Sequence, residues 1–67
     1  MIDFEFLLIF DLNWDCFIVE ILHDNILLAE VTEHGEIYLY NEDKKKKIIE
    51  SCQFSDAIDY AKKRAKG

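Results

Sequence analysis

The chain of 67 residues contains no proline, and its only two glycines are at positions 35 and 67. With 51% hydrophobic residues it is too apolar for a disordered tail. Two isolated glycines exclude a glycine-rich phosphate loop, and neither G-x-S-x-G nor H-E-x-x-H occurs. We therefore expect a folded protein that is not an enzyme and needs no cofactor.

Basic residues are absent from the first 43 positions, which hold eleven carboxylates and carry a formal charge of −11. Residues 44–67 hold all eight Lys and Arg against three carboxylates, a charge of +5. The N-terminus is apolar but acidic, without the basic region of a signal peptide, and its apolar run is too short to span a bilayer. We expect a cytoplasmic domain with two oppositely charged sides, a property that serves recognition.

The two cysteines and two histidines do not form a recognisable metal motif. Cys16 and Cys52 make no C-x-x-C pair, and their spacing to His23 and His34 matches no usual zinc site. We expect no metal, and we interpret both cysteines as buried, reduced side chains rather than as a disulfide.

Alternation of apolar and polar residues with period two indicates β-strands in most of the chain. Turn-forming residues separate the apolar runs, and each connection is too short for a parallel crossover. The pattern predicts antiparallel strands at 2–12, 14–22, 26–32 and 37–40, with a short fifth strand possible at 47–50.

Residues 54–66 have helical periodicity, with Ser55 as the predicted N-cap and Asp56 and Asp59 in the first turn. A buried stripe is predicted at Phe54, Ala57, Ile58, Ala61 and Ala65. We therefore predict one α+β domain over 1–67. It comprises a small antiparallel meander of four to five strands (about 2–50) and one C-terminal helix (about 54–66) packed on one face.

The strands contain more apolar residues than one short helix can cover, since several runs are apolar at consecutive positions. This surplus predicts a homodimer or larger homo-oligomer in which another copy of the chain buries the second sheet face; the alternatives are a foreign partner or a monomer whose sheet curls on itself.

The acidic charge and the apolar surplus together favour a small protein-interaction module. Our leading hypothesis is an inhibitor of the immunity, antitoxin-like or phage anti-defence type that occupies a basic surface of a partner protein. The alternatives are a structural homo-oligomer packed through its second sheet face and a nucleic-acid-binding module that uses the basic C-terminal region. A pI of about 4.7 disfavours nucleic acid, and we expect no membrane partner. The candidate partner-binding residues are Asp11, Asp15, Trp14, Asp24, Glu33, Glu36, Tyr38, Tyr40, Glu42 and Asp43.

Overall fold

A computed structural model of the chain describes residues 2–67 and contains four strands followed by two helices. The strands form one antiparallel sheet in the order β1-β2-β3-β4, so the predicted α+β meander with a C-terminal helix is confirmed. Neither helix in this part of the chain is long and apolar enough to cross a membrane. The elements are β1 (Glu5–Asp11), β2 (Cys16–His23), β3 (Ile26–Thr32), β4 (Ile37–Leu39), α1 (Lys46–Ile49) and α2 (Cys52–Lys66).

Three tight turns connect the strands, and each uses residues suited to its backbone geometry. In the β1–β2 turn the Asp11 carboxylate accepts hydrogen bonds from the backbone N–H groups of Asn13 and Trp14. Because this turn extends through Asp15 (φ 53°), β2 begins at Cys16 rather than at Trp14 as predicted. The β2–β3 turn has positive φ at both central residues, Asp24 and Asn25, as a two-residue type I′ hairpin requires.

The predicted fifth strand is wrong, because residues 46–49 form the short helix α1. The backbone N–H of Ile49 donates to the carbonyl of Lys45, which is a helical hydrogen bond. Ile48 and Ile49 both pack against the core. Adjacent residues of a strand point to opposite faces, so a strand could not have placed both there.

Helix α2 covers one face of the sheet, called here the helix face. Its buried residues Phe54, Ala57, Ala61 and Ala65 pack on Val19, Ile21, Leu28, Ala29 and Val31, and Ile58 is partly buried beside them, close to the predicted stripe. A β-bulge between Ile21 and Leu22 leaves one extra residue in β3, and the consecutive residues Leu28 and Ala29 both join the core. The bulge thus resolves part of the apolar surplus within the chain.

Helix α2 begins at Cys52, two residues earlier than predicted, and its N-cap is Ser51 rather than Ser55. The Ser51 hydroxyl accepts from the backbone N–H of Phe54 at 3.1 Å and donates to the carbonyl of Ile48 at 2.6 Å. Ser55 lies inside the helix and is exposed. Since the helix starts at Cys52, Asp56 and Asp59 lie beyond its first turn, contrary to the prediction.

Candidate functional site

The sheet face opposite α2 carries a shallow pocket at the end where β1 turns into β2. Neighbours in a strand alternate between faces, so Ile18, Glu30 and Thr32 point away from the helix. The pocket has a volume of about 150 Å³. We call this surface the aromatic–acidic face; its pocket is lined by Asp11, Trp14, Ile18, Glu30, Thr32, Tyr38 and Tyr40.

Trp14 forms the outer wall of this pocket. The Asp11 carboxylate fixes the turn by accepting from the Trp14 backbone N–H at 3.1 Å. The Trp14 ring meets the Tyr38 ring edge to face, with centroids 5.2 Å apart. Ile18 beneath them is buried, whereas Trp14 itself remains 49% exposed. A large, half-exposed aromatic side chain whose backbone is fixed by Asp11 and whose ring rests on Tyr38 is well suited to anchor a partner.

The carboxylates of this face lie close to one another. Glu20 of β2 and Glu30 of β3 are directly opposite in the sheet. Burial, followed by the charge of Glu30, raises the pKa of the Glu20 carboxyl. Glu30 also accepts a hydrogen bond from the hydroxyl of Tyr40, and that bond is the main cause that raises the pKa of Tyr40. Two like charges therefore share one small surface.

No basic side chain compensates these carboxylates in residues 2–67. The close contacts between acidic and basic side chains described there lie at the other end of the sheet, where Asp24 is 3.4 Å from His23 and 4.0 Å from Lys45. Tyr38 follows the same trend as Glu20: burial and the Glu36 carboxylate raise its pKa. Such a surface favours a cation that would relieve the repulsion.

Comparison of the chain with known proteins gives no family assignment. No protein-family model, curated protein or solved structure matches it. Any functional proposal therefore rests on the geometry and charge of the chain itself.

Cys16, Glu33 and His34 form a second cluster beside the aromatic–acidic face. One ligand atom from each lies within 4.8 Å of the others, so three potential metal ligands converge here. The Glu33 carboxylate already accepts from the backbone N–H of Phe17 at 2.8 Å. Burial, then the charges of Glu33 and Asp11, raise the pKa of the Cys16 thiol. Both effects favour the protonated thiol, and a cation held by Glu33 would act in the opposite direction.

The other two residues of the four weighed for zinc lie elsewhere. His23 packs against Phe4 at the opposite end of the sheet, with ring centroids 6.3 Å apart. Cys52 opens α2 and is exposed, so the prediction that both cysteines are buried is wrong for Cys52. The structure has both cysteines as free thiols.

The predicted partner-binding residues fall into two groups. Asp24, Glu42 and Asp43 lie in the turn after β2 and the segment after β4, away from the pocket. The remaining seven lie on or beside the aromatic–acidic face: Asp11, Trp14, Asp15, Glu33, Glu36, Tyr38 and Tyr40.

Four residues of this face were not predicted, because they lie in strands and the predicted contact residues lie mainly in turns: Glu20, Glu30, Ile18 and Thr32. The two glutamates could have been found from their position inside otherwise apolar strands. Their side chains point to the same side of the sheet as Ile18 and Tyr38, which is the aromatic–acidic face.

Proposed function

We propose that the chain is a cytoplasmic, non-enzymatic protein-interaction module that inhibits or masks a partner by occupying its basic surface. The binding surface is the aromatic–acidic face, with Trp14 and Tyr38 as anchors and Asp11 and Glu30 as the charged contacts. The observation that carries the proposal is the uncompensated negative charge around a half-exposed tryptophan.

An arginine side chain is the best match for this pocket. A guanidinium group stacks on aromatic rings and forms paired hydrogen bonds with carboxylates. Trp14, Tyr38 and Glu30 line the same pocket, so two aromatic rings and a carboxylate are available to one side chain. The acidic surface would also steer a basic partner and speed its association at low salt.

The raised pKa of Glu20 gives the proposal a measurable pH dependence. A bound cation stabilises the ionised carboxylate and lowers that pKa, so binding releases protons. The affinity for a basic partner should therefore rise as the pH increases through the raised pKa of Glu20.

The structure gives less support to the two alternative functions, the homo-oligomer packed through its second sheet face and the nucleic-acid-binding module. A face-to-face homo-oligomer would bring the Glu20 and Glu30 carboxylates of two copies together, which is unfavourable. For nucleic acid, the lysines at 44–47 precede α2, whereas Lys63, Arg64 and Lys66 are in its last turn. A 15-residue helix is about 22 Å long, so these basic groups do not form one continuous stripe.

Trp14 is the only tryptophan of the chain, and its fluorescence can report binding directly. The experiment titrates the protein with a hexa-arginine peptide and follows Trp14 emission at several pH values and salt concentrations. The test variant is Asp11→Asn/Glu30→Gln, in which the amide oxygen introduced at position 11 can still accept the turn hydrogen bonds. The control is Glu42→Gln/Asp43→Asn, which also removes two negative charges, but from residues that lie away from the pocket.

We expect the test variant to bind about 10-fold more weakly, equivalent to about 1.4 kcal/mol, and the control to change affinity less than about twofold, within about 0.4 kcal/mol. Circular dichroism should show the same fold for all three proteins. Equal weakening in both variants would mean that net charge alone attracts the peptide. An unchanged Trp14 emission at saturation would remove the aromatic–acidic face as the binding surface.

A further inference from the structure

The two edges of the sheet differ in how well they are protected against pairing with another strand. Strand β4 has three residues, and short edge strands are a common protection. Strand β1 has seven residues, and the five from Phe6 to Phe10 carry no charge, no proline and no bulge. Leu7, Leu8, Ile9 and Phe10 are each 38–48% exposed. Strand β1 is thus an open, apolar edge.

The hydrogen bonds of the sheet define which residues of β1 have free backbone groups. The Phe17 carbonyl accepts from Glu33, so Phe17 directs its backbone groups toward β3. Backbone directions alternate along a strand, and Cys16, Ile18 and Glu20 therefore face β1. Their partners in β1 are Asp11, Ile9 and Leu7. The backbone groups of the intervening residues point away from the sheet; these residues are Phe6, Leu8 and Phe10.

We infer that β1 pairs with β1 of a second copy, antiparallel and centred on Leu8, to form a dimer with one continuous eight-stranded sheet. In this register Leu8 faces Leu8, Phe6 faces Phe10 and Leu7 faces Ile9 of the second copy. The three residues with outward backbone groups are the ones that pair. Each of the three pairs exchanges two hydrogen bonds, which gives six across the interface.

The side chains match in the same register. An antiparallel two-fold axis perpendicular to the sheet keeps both helices on the same face. Phe6, Leu8 and Phe10 then meet their counterparts on the helix face, and Leu7 meets Ile9 on the opposite face. Helix α2 packs mainly on β2 and β3 and reaches β1 through Tyr60, whose ring centroid lies 4.7 Å from that of Phe6. Leu8 and Phe10 remain 43% and 46% exposed, so the centre of the edge is accessible.

The area involved indicates a weak but specific dimer. Four residues that are 38–48% exposed, at roughly 150–200 Å² each, leave about 300 Å² of apolar surface on each copy. The total of about 600 Å² is below the roughly 1,200 Å² of a small stable interface. The backbone hydrogen bonds supplement this area, and we expect a dissociation constant on the order of micromolar.

Carboxylates flank the interface at both ends, because Glu5 lies opposite Asp11 of the second copy. Salt screens this repulsion, so the dimer should tighten as the salt concentration rises. Binding of a basic partner to the aromatic–acidic face should weaken under the same change. The two proposals therefore respond to salt in opposite directions, and each can fail without the other.

Sedimentation equilibrium from low micromolar to about millimolar protein tests the dimer and its strength. The variant Leu8→Lys places a charge at the centre of the interface and should remain a monomer. The control Leu39→Lys makes the same change on the other edge strand, where Leu39 is 41% exposed against 43% for Leu8. We expect the control to dimerise like the original chain. A monomer at every concentration, or equal loss in both variants, would overturn the inference.

Disulfide formation tests the register. Paired Cα atoms in a hydrogen-bonded antiparallel position are about 5.5 Å apart, within the range that a disulfide spans. In a Cys52→Ser background, Leu8→Cys should cross-link with itself on mild oxidation. Phe6→Cys should not, but it should cross-link with Phe10→Cys when the two are mixed. Self-cross-linking of Phe6→Cys, or none at Leu8→Cys, would overturn the proposed register.

Discussion

Ser51 and Ser55 are four residues apart at the start of α2, and replacing each by alanine should have opposite effects. Ser51 is the N-cap: its hydroxyl accepts from the Phe54 N–H and donates to the Ile48 carbonyl. Ser55 is an exposed residue one turn inside the helix. The same chemical change therefore removes a cap in one case and improves helix propensity in the other.

The expected magnitudes follow from these positions. Loss of an N-cap costs about 1 kcal/mol, and the additional bond to Ile48 raises the cost of Ser51→Ala to about 1–1.5 kcal/mol. Ser55→Ala should stabilise the protein by up to about 0.5 kcal/mol, since alanine is the better helix former. For a domain of this size, 1 kcal/mol corresponds to about 4–8 °C in melting temperature.

Thermal and urea unfolding followed by circular dichroism measure both variants under identical conditions. We expect Ser51→Ala to melt about 4–12 °C lower than the original chain and Ser55→Ala to melt at the same temperature or slightly higher. A larger loss for Ser55→Ala would place the cap at Ser55. Equal losses would mean that neither hydroxyl has the assigned role.

Two further predictions concern Glu20 and the two cysteines. Glu20 has a raised pKa in the folded state, so its ionisation opposes folding at neutral pH and ceases to do so below the ordinary glutamate pKa of about 4.3. Glu20→Gln should therefore raise the melting temperature at pH 7.5 by about 2–4 °C, from about 0.5 kcal/mol of relieved like-charge repulsion, and the gain should vanish near pH 4; a gain that persists at pH 4 would contradict this explanation. Thiol labelling of the native protein at pH 8 should modify exposed Cys52 rapidly and buried Cys16 only after unfolding. Equal labelling rates in the Cys52→Ser and Cys16→Ala variants would show that Cys16 is accessible.

The strands were predictable because their signal is local. Period-two alternation and short polar turns define four antiparallel strands without knowledge of any partner. The bulge was not predictable, because it arises from the fit between β2 and β3 and moves Leu28 into the core beside Ala29. The short helix α1 was also missed, since residues 46–49 are too few to show a helical period.

The candidate site was predictable only in part. Turn residues such as Asp11 and Trp14 stood out by composition, and the structure places both at the pocket. Glu30 did not stand out, because its relation to Glu20 and Tyr40 depends on the strand register. Asp24 is also an acidic turn residue, like Asp11, but it lies at the opposite end of the sheet. The reason is that successive turns of a meander lie at opposite ends of its strands.

The brevity of β4 sets a limit on how far the sheet can extend. A sheet grows into a fibril only when both of its edge strands can pair with a further strand. The three residues of β4 offer too few backbone groups for such pairing. If two copies pair through β1, the two β4 strands are the only edge strands of the combined sheet. Assembly would then stop at the dimer. The long apolar strand β1 would be buried in the interface and could not pair with further chains.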